Sequence, residues 1–238
     1  MAGILYGVGV GPGDPEMLTL KALRVLRDVD LICVPISSPG KKSLALSIVQ
    51  QAIDSKPVCR EFLFPMTRKR KRLQEAWNNT AREIIDELTA GKDLAFITLG
   101  DPLLYSTYLH LLQEIRSLKQ GVRVETVPGI SSFQAAAARL NLPLALEEEG
   151  LALLPAPEEK ERLESVLSSF ENVVLLKPPL AREHLLQTLM DKGLADSCWL
   201  IQRCGHEEEV LYQSLDTLSE EDLTDYLSLL IIKRGGCS

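Results

Sequence analysis

The chain lacks most of what marks a secreted, membrane-bound or nucleic-acid-binding protein. Its five cysteines, Cys33, Cys59, Cys198, Cys204 and Cys237, show no CxxC and no zinc-like spacing. An odd, scattered set argues against a disulfide framework and reads as reduced, mostly structural thiols. Cys204-Gly205-His206 offers one thiol and one imidazole, two ligands short of a site, so no metal is expected. The opening MAGILYGVG has neither a basic stretch nor a long apolar core, so no secretory signal is expected. The longest late apolar run, LSLLII at 227–232, is far short of the roughly 20 residues that span a bilayer. Cations are in deficit: 26 Lys and Arg stand against 33 Asp and Glu, a net charge of −7. An acidic balance disfavours a general nucleic-acid binder. The expectation is a soluble, cytoplasmic protein with no nucleic-acid or membrane partner. No tandem repeat or low-complexity segment is visible.

What is present is an ordinary globular composition, 45% hydrophobic and 25% charged in 238 residues, enough for a substantial core. Strand-like and helix-like patterns alternate through the first half. ILYGVGV (4–10) reads as a strand. Asp14 suits a helix N-cap and Pro15 the first helical position, with Leu18, Ala22, Val25, Leu26 and Val29 on one face. Strands follow at 30–35, 58–64, 94–100 and 122–128, with helices near 44–53, 69–90 and 103–118. LAFITLG (94–100) is apolar throughout, as in the centre of a parallel sheet. SSFQAAAARL (131–140) reads as a short helix and LNLPLALEEEG (140–150) as a connector. Beyond it come strands at 151–155, 172–176, 198–203, 208–215 and 226–234, and helices at 158–170 and 181–191. Neighbouring strands without long crossovers imply a mixed sheet. The fold class is therefore α/β, with two α/β domains at 1–128 and 129–238. The first holds an open parallel sheet and the second a mixed one.

Four glycines and a proline crowd into Gly7–Gly13 at the end of the first strand. They do not make a dinucleotide fingerprint, because the third glycine of GxGxxG falls on Pro12 or Asp14. No acidic residue for a ribose ends the second strand, which closes on Val34-Pro35. No GxxxxGK[ST] occurs anywhere in the chain, so a P-loop is absent. The glycines are left to supply positive φ and close backbone approach, either to a ligand or within a tight turn.

Three further segments share that position. TLGDPLLYSTY (98–108) ends the fourth expected strand, VPGISSFQAAAARL (127–140) the fifth, and PMTRKRKR (65–72) the third. Open α/β sheets bind ligands at this strand-end rim. GVGVGPGDPEMLTLKA, LGDPLLYSTY and VPGISSFQAAAA together closely resemble the tetrapyrrole methylases of cobalamin and siroheme synthesis, over nearly the whole chain. YSTY, SSFQAAAARL and FPMTR…AW resemble in particular the branch acting at C-20 of precorrin-2 or its cobalt form.

The resemblance implies an S-adenosylmethionine-dependent enzyme with the cofactor in a cleft between two α/β domains, and a homodimer. It assigns the cofactor to Pro12, Leu99, Gly100, Asp101, Leu104, Ser131, Ser132, Leu176, Gly205 and Ser228. Leu176 stands where relatives often carry methionine, and Pro178-Pro179 stiffens the following loop. Gly11, Gly13, Asp14, Arg68 and Arg70 are expected at the tetrapyrrole substrate. A substrate with many carboxylates needs a local cationic patch, and RKRKR (68–72) is the densest charge run. The reduced macrocycle carbon is already nucleophilic, so the enzyme chiefly positions two molecules and excludes water. Tyr105 is the candidate for the departing meso proton, or else an aromatic wall of the pocket. His110 reads as a helix-face residue, Trp77 and Phe133 as core. Other methylations on this fold, and a non-catalytic S-adenosylmethionine-binding module, remain open from the sequence.

Overall fold

The computed structural model describes residues 2–54, 56–65, 69–215 and 218–234, the side chain of Arg70 excepted. The chain divides into two compact units, Met1–Ser131 and Ser132–Ser238. In the first, strands β1 (Ile4–Gly9), β2 (Leu31–Ile36), β3 (Cys59–Leu63), β4 (Leu94–Thr98) and β5 (Arg123–Val127) form one parallel sheet in the order β3-β2-β4-β1-β5. Helices α1 (Leu20–Asp28) and α2 (Leu44–Ala52) cover one face; α3 (Arg70–Thr89) and α4 (Thr107–Leu118) cover the other.

Strand alternation feeds both cores. Ala95 and Ile97 of β4 pack with Val25 and Ile48, while Leu94 and Phe96 pack with Ile84 and Leu111. A strand buried on both faces is why LAFIT contains no charge.

Two helices begin later than the sequence predicts, for one physical reason. Asp14 caps only a 3-10 turn, Pro15–Met17, its Oδ1 accepting from the Glu16 amide at 2.8 Å. A second cap, Thr19, then starts α1 by accepting from the Ala22 amide at 3.1 Å. Likewise α4 begins at Thr107, because Ser106 accepts from the Tyr108 amide at 3.1 Å. Residues 99–105 are thereby left as a loop instead of becoming the first turn of the helix.

The second unit holds β6 (Leu151–Pro155), β7 (Asn172–Leu176), β8 (Cys198–Gln202), β9 (Val210–Gln213) and β10 (Ser228–Lys233), in the order β6-β7-β10-β8-β9. Only β6 and β7 pair in parallel; the other pairs are antiparallel, so this sheet is mixed. Helices α6 (Lys160–Ser169) and α7 (Leu185–Asp191) pack Leu163, Leu167, Leu185 and Leu189 against Val173, Leu175, Leu200 and Leu230. The alanine-rich α5 (Ser132–Leu140) lies against β10. The helix expected at 181–191 is shorter, because Pro178-Pro179 opens a 3-10 turn, Pro178–Ala181, before α7.

Carboxylates tie loops to this unit and make its stability pH-dependent. Asp222 accepts from the Ser219 amide at 2.8 Å, the Ser219 hydroxyl at 2.7 Å and the Tyr212 hydroxyl at 2.9 Å. These bonds hold its carboxyl below the ordinary value. A depressed folded pKa contributes stability above the unfolded carboxylate pKa, and that contribution disappears as pH falls through the folded value. Melting temperature should therefore fall below about pH 4, the unfolded carboxylate range. Asp222→Asn should lower it at pH 7 and reduce the acid-side slope; an unchanged slope would count against this role.

Candidate functional site

At the carboxyl ends of the first sheet, the loops after β1, β4 and β5 meet. β1 and β4 are neighbours, yet their crossovers leave in opposite directions, to β2 on one side and β5 on the other. That switch point opens a crevice where doubly wound sheets bind ligands. The loops are knitted backbone to backbone across it. The Val10 amide donates to the Thr98 carbonyl at 3.0 Å, and the Gly100 amide to the Gly11 carbonyl at 2.8 Å. Gly11 and Gly100 form an isolated antiparallel bridge, with φ of 79° and 65°. Asp101 joins the third loop: its Oδ2 accepts from the Gly129 amide at 3.1 Å, and its Oδ1 from Leu103 at 2.8 Å. Behind the loop, the hydroxyls of Thr98 and Ser106 lie 3.2 Å apart in the core.

The early glycines have a different purpose from ligand approach. A Cβ on Gly7 would sit 2.2 Å from Cζ of the buried Tyr108. One on Gly9 would sit 2.5 Å from the Gly100 carbonyl oxygen and 2.7 Å from Gly129 Cα. They let the protein approach itself.

The charge of this rim is one-sided. Val10–Thr19, Leu99–Ser106 and Pro128–Ser131 contain Asp14, Glu16 and Asp101 but no Lys or Arg. The first-turn amide of Glu16 is already taken by Asp14. A phosphate would find no Lys or Arg on these three loops. A sulfonium would find carboxylates and backbone dipoles and no opposing charge. The donor set therefore fits S-adenosylmethionine and disfavours a dinucleotide.

The second sheet gathers a second group of residues at one of its ends. Leu176 closes β7 opposite Leu229, next to Ser228, and Ser228 of β10 stands opposite Gln202 of β8. The Lys177 amide donates to the Ser228 carbonyl at 3.1 Å. The Ser228 hydroxyl donates to the Asp225 carbonyl. Just after β8, the Gly205 amide donates to Glu209 Oε2 at 2.8 Å, and Glu209 also pairs with Arg139 at 2.9 Å.

Residues 4–219 match the family described as Tetrapyrrole (Corrin/Porphyrin) Methylases. The chain belongs to this family. It is 40% identical to the probable cobalt-precorrin-2 C(20)-methyltransferase of Methanocaldococcus jannaschii, over 97% of this chain and 96% of that protein. It is 31% identical to the cobalt-precorrin-2 C(20)-methyltransferase of Salmonella typhimurium, over 98% of each. Among solved structures, the fold matches a cobalt precorrin-4 methyltransferase with a TM-score of 0.72 at 17% identity, covering 97% of this chain and 94% of that one. It also matches a Thermus thermophilus uroporphyrin-III C-methyltransferase complexed with S-adenosylhomocysteine, with a TM-score of 0.65 at 21% identity, covering 97% of each.

In this tetrapyrrole methylase, Gly11, Pro12, Gly13, Asp14, Leu99, Gly100, Asp101, Leu104, Tyr105 and Ser131 share the first rim. Ser132 begins α5, while Leu176, Gly205 and Ser228 share the end of the second sheet. Arg68 and the side chain of Arg70 lie outside what the structure describes; Arg70 is the first residue of α3. Tyr105 is half exposed and has a left-handed φ of 49°. Trp77, expected as core, is only partly buried and stacks on His110 at 4.5 Å.

Gly9, Gly129, Thr98 and Ser106 were not legible as parts of the site. Their roles depend on partners in other loops. Asp101→Ala should release both the Leu103 and Gly129 amides. It should weaken S-adenosylhomocysteine binding by about tenfold or more, the scale of one or two charge-assisted bonds. Calorimetric titration checks this, and Asp101→Asn should fall between the two.

Proposed function

We propose that this protein transfers a methyl group from S-adenosylmethionine to C-20 of precorrin-2 or its cobalt form during cobalamin biosynthesis. The observation that carries the reading is the full-length similarity to two C-20 methyltransferases, running through both units. The three backbone-knitted loops, which carry no Lys or Arg of their own, support the cofactor assignment.

When bound, S-adenosylmethionine would supply a methyl on a positively charged sulfur, which becomes a neutral thioether as the methyl passes to C-20; the C-20 proton must then be accepted by a base. The chain's task is placement. Pro12, Leu99, Gly100, Asp101, Leu104 and Ser131, with Ser132, Leu176, Gly205 and Ser228, hold the donor. Gly11, Gly13, Asp14, Arg68 and Arg70 meet the macrocycle, the arginines through its carboxylates. Both Asp101 oxygens accept backbone amides, so Asp101 keeps the loops in place. We assign relay of the C-20 proton to Tyr105, the exposed phenol of the same loop. The reading includes a homodimer, as the family resemblance implies. It also includes a cytoplasmic location, which the free, buried thiols of Cys33, Cys198 and Cys204 favour.

The test is anaerobic turnover with S-adenosylmethionine on precorrin-2 and on cobalt-factor II, with mass and carbon NMR of the product. One added methyl at C-20 is expected, with the cobalt substrate the better one because both relatives are named for the cobalt form. Donor binding without a mass gain on either substrate would sink the reading.

A further inference from the structure

Two cations at the end of the second sheet hold left-handed backbone conformations, and they differ in what neutralises them. Lys177, directly after β7, has φ 55° and ψ 55°; Arg203, directly after β8, has φ 50°. A residue with a Cβ is strained there, and such strain persists where the surrounding structure imposes it. Ser228 separates the two. It accepts from the Lys177 amide and stands opposite Gln202, the residue before Arg203.

Arg203 is compensated. Its Nε donates to Asp225 Oδ2 at 2.7 Å, and its Nη1 lies 3.7 Å from Glu208 Oε2. Among the described residues Lys177 forms no ion pair; its Nζ lies 4.9 Å from the centroid of the Tyr226 ring. A ring face attracts an ammonium without neutralising it. Pro178 and Pro179 fix the chain just beyond. The result is a positioned, uncompensated positive charge beside Ser228.

We propose that Lys177 binds a carboxylate of a ligand. The inference rests on the methyl-transfer reading, which offers two sources: the methionyl carboxylate of S-adenosylmethionine, or an acetate or propionate arm of the macrocycle. Lys177 acts as a positioning residue, with Tyr226 holding its ammonium in place.

The experiment compares full-length wild type, Lys177→Met, Lys177→Arg and Lys177→Gly. Calorimetry with S-adenosylhomocysteine probes the first source without requiring turnover. Absorbance titration with cobalt-factor II probes the second. Lys177→Met should raise one of the two dissociation constants by about tenfold, the effect of losing one charge-assisted contact, and Lys177→Arg should restore it to within about threefold. A loss seen only with S-adenosylhomocysteine assigns the methionyl carboxylate; a loss seen only with the tetrapyrrole assigns its side chains. Lys177→Gly should weaken binding equally while leaving the melting temperature unchanged or higher, because glycine relieves the left-handed backbone. Unchanged binding of both probes by Lys177→Met overturns the proposal, whether or not the wild type methylates either substrate. So does a lower melting temperature in Lys177→Gly accompanied by unchanged affinity. If the wild type binds S-adenosylhomocysteine but methylates neither tetrapyrrole, the C-20 reading fails while the cofactor arm still decides the role of Lys177.

Discussion

Gly129→Ala should abolish cofactor binding and lower the melting temperature by about 5 °C or more, from the cost of overpacking in a chain of this size. The added methyl would sit 2.2 Å from the Gly100 carbonyl oxygen, 2.8 Å from Gly9 Cα and 2.9 Å from the Gly9 carbonyl carbon. All three are backbone atoms of neighbouring loops, so no side chain can rotate away. Either the β5 loop moves outward or the Gly9 and Gly100 segments separate. Outward movement breaks the bond from the Gly129 amide to Asp101. Separation strains the Gly11–Gly100 bridge at the centre of the rim. Gly40→Ala is the contrasting substitution: its added methyl meets nothing within 4 Å, and its cost is the backbone strain of a positive φ, which Gly129 does not have. Calorimetric titration with S-adenosylhomocysteine and thermal melts decide the matter. Binding by Gly129→Ala near the wild-type level would mean that the three loops need not close on one another.

Lys233→Met should cost the second unit about 3 kcal/mol, the scale of breaking a buried, hydrogen-bonded charge. Lys233 is 3% exposed on β10, opposite Asn172 of β7. Its Nζ donates to Asn172 Oδ1 at 2.7 Å and to the Pro143 carbonyl at 2.9 Å, and lies 3.7 Å from Glu149 Oε2. Asn172 in turn donates to Glu149 Oε2 at 3.0 Å. The ammonium thus secures the 140–150 connector to the sheet. Methionine fills the volume but leaves the buried Asn172 Oδ1 and the Pro143 carbonyl without this donor. A fall in melting temperature of about 6 °C or more is expected for this size of chain. Faster hydrogen exchange around Leu142 and Gly150 should accompany it. A loss below about 1 kcal/mol would place Lys233 among ordinary surface charges.

These predictions depend unequally on sequence and on tertiary structure. The sequence alone determined the alternation of strands and helices, the parallel and mixed character of the two sheets, and three site loops. Strands β6 and β7 occur over the predicted residues, 151–155 and 172–176. Their signal is local: short apolar runs between charged, helix-patterned segments. The GDP and PG segments were legible because a glycine or proline at a strand end is also a local signal.

Only the tertiary structure decided the strand order, the late helix starts and the partners of the site residues. Hydrophobic period tells which face of a strand is buried; it does not tell which strand lies beside it. β4 inserts between β1 and β2, which brings Gly100 to Gly11 and Asp101 to Gly129. The glycines after β1 gained their meaning only then, since Gly9 is crowded by backbone from two distant loops. Lys233 looked like the end of an apolar strand until the fold placed it against Pro143, ninety residues earlier. Hydrogen bonds and charge pairs are short-ranged, so their partners exist only once packing has brought distant segments within about 3 Å.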